Sequence, residues 1–148
     1  MPVEVATHVA GTLEFVSGAI VTIAMSFDVP KHRHAPIELY GTEAALSVPD
    51  PNKFGGPVEI AKPGGEWETK PITHAYADGN FRSIGVADMA HAIRAKRDHR
   101  ASGALAFHVL EIMEAFQLSS DQGRRIAINS RVERPAALPV GLKHGQLD

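Results

Sequence analysis

The sequence predicts an α+β domain: a largely antiparallel or mixed open sheet of about six or seven strands with two main helices on one face. Three observations carry that expectation. Up to about residue 72, short runs alternate apolar and polar side chains, the period of two of a half-buried strand. Brief Gly- or Pro-bearing connections separate the runs, short enough for antiparallel neighbours. Between Phe81 and Gly123 the period changes to three and four, that of a helix with one apolar face. Strands followed by helices, rather than strict alternation, mark the α+β class.

Each element follows from its residues. From Val5 to Phe15, Val9, Gly11, Leu13 and Phe15 alternate with Ala10, Thr12 and Glu14. Ser17-Gly18 predicts a hairpin turn, because glycine supplies the positive φ of a tight reversal. Ala19–Phe27 is the returning strand. Further strands are expected over Pro36–Tyr40, Ala45–Val48, Val58–Lys62 and Trp67–Ile72, the last pair joined across Gly64-Gly65. Pro49-Asp50-Pro51-Asn52 and Gly55-Gly56-Pro57 bracket an irregular loop, since proline fixes φ and removes a donor. In the first helix, Val86, Met89, Ala90 and Ile93 form one stripe. In the second, Ser102 is the expected N-cap and Leu105, Val109, Ile112 and Phe116 the stripe. Gly123 is the expected left-handed residue that ends it. Arg124–Val132 alternates again and predicts a last strand, and residues 134–148 form a wrapping or frayed tail.

Ile20, Val21 and Ile23 leave apolar side chains on both faces of their strand. Two helices cover one face of such a sheet, so the other face is expected to pack against a partner sheet, most simply that of a second copy.

The length of 148 residues suits a single domain over residues 1–148. A hydrophobic share of 44% with 22% charged residues excludes a disordered or fibrous chain. Fifteen basic against seventeen acidic residues remove the electrostatic case for nucleic acid. The absence of cysteine excludes disulfides, thiolate zinc sites and cysteine nucleophiles. No apolar run is long enough to span a bilayer, so no membrane partner is expected, and a cytoplasmic location is.

The thirteen glycines never stand two apart, which excludes the G-x-G-x-x-G dinucleotide fingerprint within these residues. There is no P-loop, no G-x-S-x-G elbow and no H-E-x-x-H helix. No catalytic, cofactor-binding or metal-binding residue is therefore assigned.

Three groups remain as candidates. Lys31-His32-Arg33-His34 places two imidazoles on one face of an extended chain, compatible with half of a metal site, a solvated basic loop, or a polyol- or anion-binding lip. Arg94, Lys96, Arg97, His99 and Arg100 crowd the end of the first helix, where cations complement the helix dipole. His74, Tyr76, Asn80 and Arg82 lead into that helix, at a sheet–helix junction where binding residues concentrate. His108, beside the second helix's stripe, is expected as a packed histidine.

Several blocks resemble one family. Thr7-His8-Val9-Ala10-Gly11, Ser26-Phe27-Asp28-Val29, Ile37-Glu38-Leu39-Tyr40-Gly41-Thr42-Glu43 and Phe54-Gly55-Gly56-Pro57 look like the C-terminal domain of the Gfo/Idh/MocA oxidoreductases, the glucose–fructose oxidoreductase and inositol dehydrogenase relatives. Gly85-Val86-Ala87-Asp88-Met89-Ala90, His99-Arg100-Ala101-Ser102-Gly103 and His108-Val109-Leu110-Glu111 extend the resemblance, which runs from about Val5 to Leu138.

That resemblance implies a substrate-binding and oligomerisation domain of an NAD(P)-dependent sugar or polyol oxidoreductase, with sheet-to-sheet oligomers. It implies NAD or NADP in the parent enzyme and no cofactor for this chain alone. A separate Rossmann-domain chain is a possible partner. By position it makes Lys31, His32, Arg33, His34, His74, Tyr76 and Arg82 substrate contacts. The family's Glu-Lys-Pro lysine is missing from these residues. So is its Asp-x-x-x-His pair, since Asp28 to His32 lies elsewhere, on the loop after the second strand. Hydride transfer needs the cofactor held against the substrate carbon, so no dehydrogenase activity is expected of these residues alone. The alternative is a non-enzymatic dimeric scaffold or small-sugar-binding module. A metal-dependent activity on His32 and His34 is a third.

Overall fold

The computed structural model describes residues 3–148. Six strands and two helices follow in the order β1 (His8–Glu14), β2 (Ile20–Ser26), β3 (Ile37–Tyr40), β4 (Ala45–Val48), β5 (Val58–Ala61), β6 (Glu68–Lys70), α1 (Ile84–Ala95) and α2 (Gly103–Gln122). The class is mixed α+β. The strands form two antiparallel sheets, one of two strands and one of four, rather than the single sheet expected. The chain divides into two compact units, each drawn from two separate stretches of sequence.

The first unit takes residues up to His32 together with Gly103–Glu133. Its sheet is the β1–β2 hairpin, closed where the Phe15 amide donates to the Ala19 carbonyl at 2.9 Å and Gly18 adopts φ +90°. The register sets Gly11 opposite Ile23 and Leu13 opposite Val21. Val9, Gly11 and Leu13 are half-buried while the residues between them are exposed, as the alternation requires. Helix α2 packs on β1 at Gly11: a Cβ there would stand 2.7 Å from the Phe116 ring, so only glycine lets helix and strand approach so closely.

The expected strand over Arg124–Val132 does not form. The Glu111 carboxylate on α2 accepts the backbone amides of Asn129 and Ser130, at 2.9 Å each, so those donors are not offered to a ladder. The outer edges of β1 and β2 consequently have no backbone partner among the described residues. An isolated hairpin is marginal in water, and open edges invite further strands.

The second unit takes Arg33–Ser102 and Arg134–Asp148. Its sheet is a meander in which each strand pairs antiparallel with the next, in the order β3-β4-β5-β6. Gly64, at φ +75°, turns β5 towards β6 at the expected Gly64-Gly65 site.

The two helices do not share one sheet face. Helix α2 meets β1, whereas α1 packs on no strand among the described residues. The face α1 buries holds Asp88 and Ala92, one turn apart, at 4% and 1% exposure. Its expected core stripe therefore points outward, with Val86 64% and Ile93 71% exposed. The end of α2 is the one the sequence predicts. Gly123 closes α2 at φ +59°, while α1 is closed by the same left-handed geometry at Lys96, φ +55°, a residue that pays the steric cost glycine avoids.

The tail is ordered against its unit. Val140 bridges to His74, and Leu147 is one of the few buried residues.

Candidate functional site

Two loops of the second unit face each other across a cleft of about 440 Å³, lined by residues 52–56, 77–80 and Arg82. The first loop connects β4 to β5, and its shape follows from its turn residues. The Asp50 carboxylate accepts the Asn52 amide at 2.9 Å, an Asx turn, and the Lys53 amide donates to the Asp50 carbonyl at 3.0 Å. Gly55 lets the second loop come close, since a Cβ there would stand 1.9 Å from the Ala77 carbonyl oxygen. Gly56 carries φ +131°, a conformation reserved for glycine.

The second loop connects β6 to α1. Arg82 ties it to the first: its Nη2 donates to Asn52 Oδ1 at 2.7 Å and to the Asn52 carbonyl at 3.2 Å. Phe81 stacks edge-on against Phe54 at 5.5 Å and against Tyr76 at 5.0 Å. Tyr76 itself stands at φ +66°, unusual for an aromatic residue. Three contacts from the tail and the loop hold it there: its hydroxyl donates to the Gln146 carbonyl at 2.6 Å, and its ring meets His144 and Phe81. His144 Nε2 lies 3.7 Å from Asp78, which lines the cleft.

Helix α1 is anchored by a charge cluster. Arg97 and Arg100 both reach Asp88, and both also reach the Asp148 carboxylate, with His91 Nδ1 at 3.0 Å from the same Asp148. Burial alone pushes the Asp88 carboxyl up, but it is outweighed by the Arg100 amide and the two guanidinium groups, which bring it down to about 2. The Asp148 carboxyl is likewise lowered, chiefly by Arg97. The basic run at the end of α1 is thus neutralised within the chain through Arg97 and Arg100.

A second polar cluster joins α2 to the segment after it. Ser130 Oγ lies 2.7 Å from His108 Nδ1, and Glu111 is lowered by the Ser130 hydroxyl and by the Asn129 and Ser130 amides. The carboxylate meets the serine rather than orienting the histidine, so this is not a nucleophilic relay. His108 is a packed histidine with a hydroxyl partner.

The structure sorts the sequence candidates into three groups. Arg82 lines the cleft. His74 and Tyr76 grip the tail, His74 through its backbone bridge to Val140 and Tyr76 through Gln146. Lys31, His32, Arg33 and His34 are exposed on the connection between the units, whose boundary falls between His32 and Arg33. Sequence reasoning did not single out Asn52, Lys53 or Asp78 as site residues. Their signal lay in the Pro49–Asn52 and Gly55-Gly56 punctuation, which marks a loop shaped for close backbone approach. Among the described residues, no three His, Asp or Glu side chains converge as a metal site.

No protein-family model, curated protein or solved structure matches the chain.

Proposed function

We propose that this chain is the substrate-binding and oligomerisation domain of an NAD(P)-dependent sugar or polyol oxidoreductase, not catalytically complete by itself. The observation that carries the reading is the cleft. Its volume lies within the roughly 300–1,000 Å³ of small-molecule sites, and amide, carboxylate and guanidinium groups from Asn52, Asn80, Asp78 and Arg82 surround it. Such a mixture of donors and acceptors suits a compound with many hydroxyls.

Exposed apolar surface supports the second half of the proposal. Ile20 and Met25 on β2, Val86 and Ile93 on α1, and Phe107 and Met113 on α2 are each more than half exposed. Surface of this kind belongs to a protein that is covered by others. On this reading the parent enzyme supplies a nicotinamide-binding domain, and a second copy covers the bare faces. The open edges of β1 and β2 are where strands of a second copy would add to the hairpin in the cytoplasmic oligomer. Lys31–His34, His74 and Tyr76 act as substrate contacts in that assembly.

Calorimetric titration with NAD, NADP, glucose and myo-inositol, beside solution mass, tests the reading. It expects polyol binding, no nicotinamide binding and a dimer. Tight nicotinamide binding or a clean monomer at high concentration would overturn it. Polyol binding that never yields hydride transfer, even with a nicotinamide-binding partner chain supplied, favours the non-enzymatic sugar-binding module.

A further inference from the structure

We propose that the cleft takes an anionic polyhydroxy compound, a sugar derivative bearing a carboxylate or phosphate, with Arg82 and Lys53 as its anchors. The inference deepens the preceding section and rests on its reading of the cleft as a polyol site.

Charge accounting on the cleft wall carries it. Two cations, Lys53 and Arg82, and one carboxylate, Asp78, line the space. Neither cation has a carboxylate partner among the described residues. Asp78 faces His144 instead, at 3.7 Å. This contrasts with the other end of α1, where Arg97 and Arg100 are each met by two carboxylates. The chain pairs those two arginines with carboxylates and leaves the cleft's two cations without an ion pair among the described residues.

Arg82 is also fixed in place. One nitrogen, Nη2, is engaged twice by Asn52, at 2.7 and 3.2 Å. Its Nε and Nη1 donate to no acceptor among the described residues, although a guanidinium offers a planar fork suited to two oxygens. Arginine held by neutral acceptors has no carboxylate to release and loses little freedom on binding an anion. Lys53 adds a point charge from the facing loop. The remaining volume exceeds what an inorganic ion fills, and Asn80 with Asp78 offers groups for hydroxyls.

The test is calorimetric titration of the chain with glucose, gluconate, glucose 6-phosphate and inorganic phosphate, in the parent sequence and in Lys53→Gln and Lys53→Gln/Arg82→Gln. A charge-assisted hydrogen bond contributes about 1.5–3 kcal/mol, or roughly 10–100-fold. The expected result is that gluconate or glucose 6-phosphate binds at least about 10-fold tighter than glucose. Lys53→Gln, whose side chain makes no hydrogen bond or ion pair among the described residues, reduces that preference while leaving glucose binding in place, and the double variant abolishes the preference. The better of the two charged sugars identifies the anion as carboxylate or phosphate. Equal binding of glucose and both charged sugars overturns the anion anchor and leaves the polyol reading standing. Failure of all three sugars overturns both. Inorganic phosphate binding as tightly as the sugar anions also overturns the proposal, because the site would then hold only an ion.

Discussion

Arg97 returns to its own helix: its Nη2 donates to Asp88 Oδ1 at 2.7 Å, nine positions back along the chain. The reversal at Lys96 makes this contact possible. The Arg97 amide reaches the Ala92 carbonyl at 3.1 Å and the Lys96 amide that of Ile93 at 3.4 Å, the paired bonds of a Schellman ending. Helix α1 is therefore held by a buried carboxylate where an apolar stripe was expected to hold it.

Asp88→Asn should destabilise the protein by about 2 kcal/mol, the cost of removing the buried charge that two half-buried arginines share while Asp148 still meets both. Urea unfolding measures it. The pH dependence has a defined sign, because the folded carboxyl lies at about 2, below its ordinary 3.8. Its contribution is complete above about pH 4 and is lost as pH falls through 2, and the Asp88→Asn variant should lack that acid-side loss.

Lys96→Gly should raise stability by up to about 1 kcal/mol. The position is exposed and already left-handed, so glycine removes a steric cost without removing a side-chain hydrogen bond or ion pair among the described residues. A higher melting temperature is the expected readout, and a lower one would show that the Lys96 side chain matters to α1.

Two glycines should respond in opposite ways to alanine. Gly85 lies in the first turn of α1 with open space around it, so Gly85→Ala should stabilise by about 0.5–1 kcal/mol. At Gly55 the added methyl would meet the Ala77 carbonyl oxygen. Gly55→Ala should force the two loops apart and weaken polyol binding by more than it lowers the melting temperature of the fold. Equal behaviour of the two variants would contradict the close approach described at the cleft.

Glu111→Ala should release the Asn129 and Ser130 amides, which hydrogen exchange reads directly as faster exchange at those two positions. The Glu111 carboxyl is held below its ordinary 4.5, first by the Ser130 hydroxyl and then by the two amides. Protection at residues 129–130 should therefore persist above pH 4.5 and fade as acid titrates the carboxylate.

What was legible in the sequence was local. The β1–β2 hairpin, the turn at Gly64 and the glycine at the end of α2 are each decided by a few neighbouring residues, and the strand alternation from Val9 to Leu13 matches the half-buried face. What was not legible depended on partners distant in sequence. The α1 stripe of Val86, Met89 and Ile93 is amphipathic by period, yet the Asp88 face is buried, because Arg97, Arg100 and Asp148 supply charges that no period reveals. Arg124–Val132 alternates like a strand, but a carboxylate 18 positions earlier takes the Asn129 amide. At the site, Arg82 was accessible from its place before a helix. Its partner Asn52, 30 positions away, was not.

The interleaving of the two units sets an order of events as the chain folds. Every strand pair in β3–β6 joins sequence neighbours, so the meander forms from contacts of short range, which close quickly. The first unit needs Phe116 to reach Gly11, a separation of more than a hundred residues. During synthesis the β1–β2 hairpin must therefore wait, uncovered and with both edges open, until α2 has emerged. Pulse-labelled hydrogen exchange should find Ile37–Lys70 protected first and β1 last. In the interval, the uncharged β2 strand is the segment on which a chaperone would act.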